Sequence, residues 1–529
     1  MKLNLNFGLF GVCILLVFGA AGRARRIAII GGGAAGAAAA YFAQEELIGR
    51  GEAPASIHVF ERDQRIGGRA HSGSVEYSNQ TLMFEIGASM FIGKNQHLVG
   101  LARKFNLTLC AHPCTLGAAT SGSVGGIWAL GAYGLWDPHS GAAGGSWVVR
   151  QRAEHKSRDA LQMLWRYGGT GDLTRVRVRT QQVVGEFMQS YADFGDPARG
   201  AFASWDDYVS DKPHMQASLY YTAAEFYSSA ANAIGRRLLD EVVSLATRVN
   251  YMQDVDAVNA MGAHISMAAE SDAAYSVAGG NWQLFVRMLD SSAAHVHLGT
   301  TVDDVQRSSG SGSGYRVSFA RDGSAAAMDF DSVIVAAPLP LANLRVLDGQ
   351  RQKDAAAAYV TMHVTFAIGV LRGDLFPADS SGEALPRLIV TPKHTTEPFN
   401  CLSILACLDS AGRGLCGQRG GTVLVKVFSQ APVDLARVFA RVEWQRSHMW
   451  DAYPRLHPRN GAAYSNPASS DMFRLSRPRL PPIVLDRSGN GTNGVYYVGG
   501  METLFSTMES QTVAARHVVR LALFGEHRE

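Results

Sequence analysis

The stretch Arg26-Ile-Ala-Ile-Ile30-Gly31-Gly-Gly33-Ala-Ala-Gly36-Ala-Ala-Ala-Ala-Tyr41 decides the fold. Ile27 to Ile30 form a short apolar run that reads as a buried strand. The glycines follow at the spacing Gly31-x-Gly33-x-x-Gly36, and an alanine-rich helix is expected from Ala37. Gly31 permits the tight turn, Gly33 lets backbone approach a pyrophosphate, and Gly36 lets helix and strand touch. The helix N-terminus offers free N–H groups and partial positive charge to that pyrophosphate. A second strand, Ser56 to Phe60, ends at Glu61, an acid placed to accept hydrogen bonds from an adenosine ribose. The polar stretch Glu45 to Pro54 is expected to be a loop that absorbs the long spacing between them.

Directly after Glu61 and Arg62 comes Arg65-Ile-Gly67-Gly68-Arg69-Ala-His-Ser72. This resembles the glycine-doublet motif of flavin amine oxidases, and the resemblance implies FAD rather than a nicotinamide nucleotide. It also implies that Leu82 to Ser89, with Gly87 and Ala88, passes under the isoalloxazine. Near the end, a strand Gly494 to Val498, a turn Gly499-Gly500-Met501-Glu502 and a helix Ser510 to Leu523 match the element that closes such folds. By the same resemblance Glu502 belongs near the ribityl chain, and the helix N-terminus near the flavin C2 carbonyl. Arg62, Val302 and Gly500 complete the expected FAD contacts.

The chain has 529 residues, enough for two or three domains, and a formal net charge of +3. That charge, with no basic run and no zinc-type Cys/His spacing, excludes nucleic acid as partner and leaves no metal site to expect. Lys2, the apolar run Phe7 to Ala21 and the small residues after it read as a signal peptide over residues 1–24, with an uncleaved anchor as the alternative. Secretory targeting makes the sequons at Asn79, Asn106 and Asn490 meaningful. Of six cysteines, Cys13 lies in the leader. The five others leave at least one thiol unpaired, with Cys110 and Cys114 as one candidate pair. Their spacing is wider than the Cys-x-x-Cys of a redox motif.

The fold class is α/β: a discontinuous Rossmann-type FAD-binding domain interleaved with a substrate domain of mixed or antiparallel sheet plus helices. The FAD-binding parts are expected at 25–105, 276–345 and 486–525. The substrate parts are expected at 106–275, largely helical, and at 346–485, rich in strands.

Several further strings resemble the prenylcysteine oxidase family, including its farnesylcysteine lyase members. They are Leu164-Trp-Arg-Tyr-Gly168, Thr247-Arg248-Val-Asn250-Tyr251-Met-Gln253, Lys426-Val-Phe-Ser-Gln430, Trp450-Asp-Ala-Tyr-Pro454, and Met508-Glu509 after Gly500-Met-Glu502. The resemblance covers about residues 25 to 525, with a departure at Val277-Ala278 before Gly279-Gly280, where an acid is expected. It implies FAD-dependent, O2-consuming cleavage of a prenylcysteine thioether to prenyl aldehyde, cysteine and hydrogen peroxide. The carbon beside sulfur is also allylic, so a cation formed there by hydride loss is stabilised from both sides. The protein must chiefly orient that C–H and admit water and O2.

Lys426 shares a strand face with Leu424 and Phe428, where a lysine needs a partner. Related amine oxidases hold a water near flavin N5 with a lysine, which makes Lys426 the expected catalytic residue. An edge lysine reaching solvent is the alternative. Arg248, Asn250 and Tyr251 are expected to anchor the substrate carboxylate or brace the site, with Gly279 and Gly280 nearby. The prenyl chain is expected in the helical domain, and peripheral membrane or lipid association is an expected property. The compartment is expected to be lysosome or vacuole, where prenylated proteins are broken down. Two other functions compete: a polyamine or amino-acid oxidase, and a non-catalytic isoprenoid-binding homologue.

Overall fold

The structure is a computed structural model. It describes residues 24–112, 114, 133–140, 145–150, 156–194, 202–268, 273–309, 314–347, 349, 358–376, 385–408, 421–459, 480–488 and 493–525. The leader expected over residues 1–24, save Ala24, and the sequon at Asn490 lie outside the described residues.

The first apolar run forms β1 (Arg26–Ile30), followed by α1 (Ala34–Gly49) and β2 (Ser56–Phe60). The helix starts three residues earlier than expected because Gly33 is its N-cap, so Gly36 falls in the first turn. It also runs through Gly49, so the first half of the expected loop from Glu45 is helical. Strands from distant segments complete a six-stranded sheet in the order His295–His297, β2, β1, Ser332–Val335, Asn493–Tyr497, Val484–Ser488. All pair in parallel except the last. Ala37 to Ala40 are fully buried, which lets α1 lie close to the sheet and to neighbouring helices.

The strand β3 (Gln80–Gly87) is followed by α2 (Gln96–Lys104). Two helices of the central segment shape the site, α3 (Gly171–Asp193) and α4 (Ala260–Ala268). Asn79 occupies the exposed turn before β3, and Asn106 is exposed just beyond α2.

A seven-stranded sheet forms the second layer. It contains β4 (Tyr359–Leu371), β5 (Leu388–Val390), β6 (Cys401–Cys407), β7 (Thr422–Ser429) and β8 (Phe439–Pro454). The order is β8–β4–β7–β6–β5, continued by Tyr133–Asp137 and Ser146–Arg150. The largely helical segment 106–275 thus lends two strands to this sheet. The sheet is mixed, because β5 pairs in parallel with Tyr133–Asp137. The strand β3 lies on one face, where the Phe84 ring stacks on Phe366 with centroids 4.1 Å apart. The final helix, α5 (Met508–Phe524), starts two residues before the expected Ser510, is capped by Thr507 and packs on α1.

Candidate active site

A cavity of about 640 Å³ opens between the two sheets and the helices α3 and α4. Gly31, Gly33, Glu61, Arg62, Gly67, Gly68, Arg69, Gly87, Ala88, Val302 and Glu502, all expected as cofactor contacts, line it. At its first end Gly67 bonds back to Gly32 (N–H to carbonyl, 3.0 Å), pinning the doublet against the first glycine turn. Gly67 and Gly68 have φ of 117° and 56°, a region open to glycine at little cost. Gly36 does not line the cavity. A Cβ there would lie 1.8 Å from the Gly31 carbonyl oxygen, so its role is the close approach of helix to turn.

Glu61 accepts backbone hydrogen bonds from Gly32 (2.7 Å) and Asp63 (2.8 Å) while facing the cavity. Burial pushes its carboxyl up, and those N–H groups pull it back. Each carboxylate oxygen keeps a lone pair for a ribose hydroxyl. Further along, Glu502 is 1% exposed and collects three donors: the Arg69 guanidinium, the Tyr359 hydroxyl (2.9 Å) and the Ser506 hydroxyl (2.7 Å). The buried pair Arg69–Glu502 therefore joins the glycine doublet to the turn before α5. Trp450 also faces the cavity, and its buried indole N–H has no hydrogen-bond partner among the described residues. The bare glycine cradle, the ribose-facing acid and this orphaned donor fit FAD.

At the other end Lys426 comes off β7 between β4 and β6, so it is a central-strand residue. Its ammonium donates to the Glu85 carbonyl (2.8 Å) and the Ser89 hydroxyl (2.8 Å), and burial lowers its pKa to about 8. The alternative of an edge lysine reaching solvent is thereby excluded. The Glu85 carboxyl accepts from Ser72 (2.6 Å) and the Asn281 backbone (2.7 Å), and burial pushes it up to about 7. Tyr251 and Tyr453 line the same region edge to face, with centroids 5.7 Å apart. From α3 and α4 come Val184, Phe187, Met188, Ile265 and Ala268, an apolar chamber continuous with this end.

A family model described as prenylcysteine lyase matches residues 151–466, more than half of the chain. The chain belongs to the prenylcysteine lyase family. A model for an NAD(P)-binding Rossmann-like domain matches residues 29–105. The prenylcysteine lyase family assignment agrees with two relatives. Farnesylcysteine lyase of Arabidopsis thaliana is 25% identical over 518 residues, covering 94% of this chain and 88% of that protein. Human prenylcysteine oxidase 1 is 23% identical over 512 residues, with the same coverage. A solved cyclohexylamine oxidase from Brevibacterium oxydans has a TM-score of 0.53 at 15% identity, covering 94% of this chain and 98% of that one; it shares the fold.

Within this prenylcysteine lyase family member, four expected residues besides Gly36 lie off the cavity wall. Gly500 is buried against Trp205, whose indole a Cβ at Gly500 would meet at 2.4 Å, so it serves packing. Gly279 and Gly280 make the turn into the helix Trp282–Ser292, and the next residue, Asn281, braces Glu85 and Ala88 from behind. Arg248 is 2% exposed and committed to Asp254 (2.5 Å), Thr391 (2.9 Å) and the Thr395 carbonyl. These partners hold it away from the cavity wall, in the bracing position. Asn250 and Tyr251 do line the cavity. The sequence reading gave no role to Glu85, Ser89, Trp450 or Glu509, which also line it. An acid and a serine flanking the Gly87-Ala88 turn were visible as candidates; Trp450 stands in a string that carries the family resemblance, but nothing there marks its indole as a cavity donor.

Proposed function

We propose that this protein is an FAD-dependent prenylcysteine oxidase that uses O2 and water to release prenyl aldehyde, cysteine and hydrogen peroxide. One observation carries the reading: a single cavity joins a dinucleotide cradle to an apolar chamber, and Lys426 sits where the two meet. The apolar chamber suits an isoprenoid chain, since each buried CH2 contributes about 0.8 kcal/mol. Bound FAD supplies the hydride acceptor and returns the electron pair to O2.

The chain's own residues do the rest. The chamber from α3 and α4 holds the prenyl chain and fixes its first carbon near Lys426, so orientation replaces a chance encounter. Hydride loss leaves a cation shared by sulfur and alkene. Lys426, anchored by Glu85 and Ser89, holds the water that adds to this carbon and takes its proton. A lysine poised at about 8 suits that transfer near neutral pH. The hemithioacetal then collapses to aldehyde and thiol, so atoms and charge balance without another side-chain base.

An amine oxidase needs a slot for a cation. Tyr251 and Tyr453 touch each other edge to face, and the cavity wall carries Lys426, whose charge disfavours a cationic substrate. The test is aerobic turnover of farnesylcysteine against putrescine. The proposal expects peroxide and farnesal in equal amounts from the thioether and none from the amine. Peroxide from the amine alone contradicts it.

A further inference from the structure

The basic groups on the cavity wall are mostly spoken for. Arg69 pairs with Glu502, and Arg65 donates to the Gly68 (2.8 Å) and Ala70 (3.5 Å) carbonyls. Arg62 lies beside Asp63 (3.7 Å), and Lys426 is held by Glu85 and Ser89. Arg387 differs. It lines the cavity and is exposed, and its guanidinium has no hydrogen bond or ion pair among the described residues. We propose that Arg387 is the anchor for the α-carboxylate of the substrate. This rests on the prenylcysteine reading and assigns the residue that recognises its amino-acid end.

The register of the sheet places it. Leu388 pairs with Ser403, and Ser403 pairs with Lys426, so one row crosses three strands along the cavity. At about 4.8 Å per strand, the Leu388 backbone lies roughly 10 Å from that of Lys426. Arg387 precedes Leu388 in the chain and holds its backbone through Ile404 (N–H to the Arg387 carbonyl, 2.7 Å). Arg387 lines the cavity at the entrance of this strand, one residue before that row. In a prenylcysteine the carboxylate is only a few bonds beyond the sulfur, so the reacting carbon near Lys426 and a carboxylate at Arg387 fit one molecule.

The chemistry selects the same group. A planar guanidinium presents paired N–H donors that match a carboxylate, and these charge-assisted bonds are stronger than neutral ones. Arg248, expected either to anchor the carboxylate or to brace the site, is already bound to Asp254, Thr391 and Thr395. Burial moves Glu85, the acid beside Lys426, toward its neutral form, which lessens the negative charge on this wall.

The test uses S-dodecylcysteine, whose saturated chain has no allylic hydrogen to lose, and its methyl ester. Binding of each to the FAD-loaded protein is measured by calorimetry. The wild type is expected to bind the acid about 10- to 100-fold more tightly than the ester. Arg387→Met should bind both at the ester's affinity, and Arg387→Lys should recover part of the difference. Arg387→Met that keeps the full preference for the acid overturns the assignment. So does a wild type that binds ester and acid equally, while leaving the prenyl reading intact. A wild type that binds neither compound overturns the prenyl reading and the anchor with it.

Discussion

In the proposed reaction Lys426 is the residue on which the chemistry turns, and its setting makes a pH prediction. Burial lowers it to about 8. If the neutral amine takes the proton of the attacking water, kcat rises as pH climbs through about 8 and levels above it. Lys426→Met should lower kcat by ten-fold or more, lose that rising limb, and keep its flavin, since Lys426 lies apart from the glycine cradle. Full turnover with an unchanged pH profile would remove the role. Lys426 was legible in the sequence because a lysine on an apolar strand face demands an explanation. Arg387 was not, because an arginine at a strand start usually reaches solvent. For Arg248 the sequence left anchoring and bracing both open, because its partners Asp254, Thr391 and Thr395 include two residues about 145 positions away, which only folding brings together.

At the scale of elements, the reading was most secure where local rules govern. The strand–glycine–helix start, the doublet and most strands between Tyr359 and Ser429 follow from glycine spacing and apolar runs. The strand β8 escaped notice. Its burial pattern is largely exposed and its residues are charged, because it covers the sheet's edge and its shape comes from pairing with β4. The helices α3 and α4 were expected as helices, but their share in the cavity is a tertiary fact. Ala268, at the end of α4, faces the chamber. Ala268→Trp should shorten it and cut kcat/KM for geranylgeranylcysteine at least ten-fold more than for farnesylcysteine. Equal loss for both, measured by peroxide release, would place the chain elsewhere.

For the whole molecule, buried titratable groups set the response to acid. Burial holds His97, His112 and His264 down at about 3, and His58 and His71 at about 4, against about 6.5 in the unfolded chain. Between those values the unfolded state binds more protons, so their contribution to stability is lost as pH falls below about 6.5. Glu85 and Glu509, pushed up to about 7 from about 4.5, act oppositely, since the folded state then binds more protons. Five histidines outweigh two acids, so Tm of the FAD-loaded protein should fall as pH goes from 7 to 5. A Tm that holds or rises over that interval would mean the histidines are not buried as described. It would also remove the cost of working in an acid compartment such as that expected for the breakdown of prenylated proteins.

The central claim is that one cavity brings a prenylcysteine to FAD. It is tested most directly by mixing the purified flavoprotein with farnesylcysteine in the absence of O2 and following the flavin absorbance band. The account predicts bleaching in proportion to substrate, with farnesal and cysteine formed before air is admitted. A flavin that stays oxidised with farnesylcysteine but bleaches with an amine would contradict it.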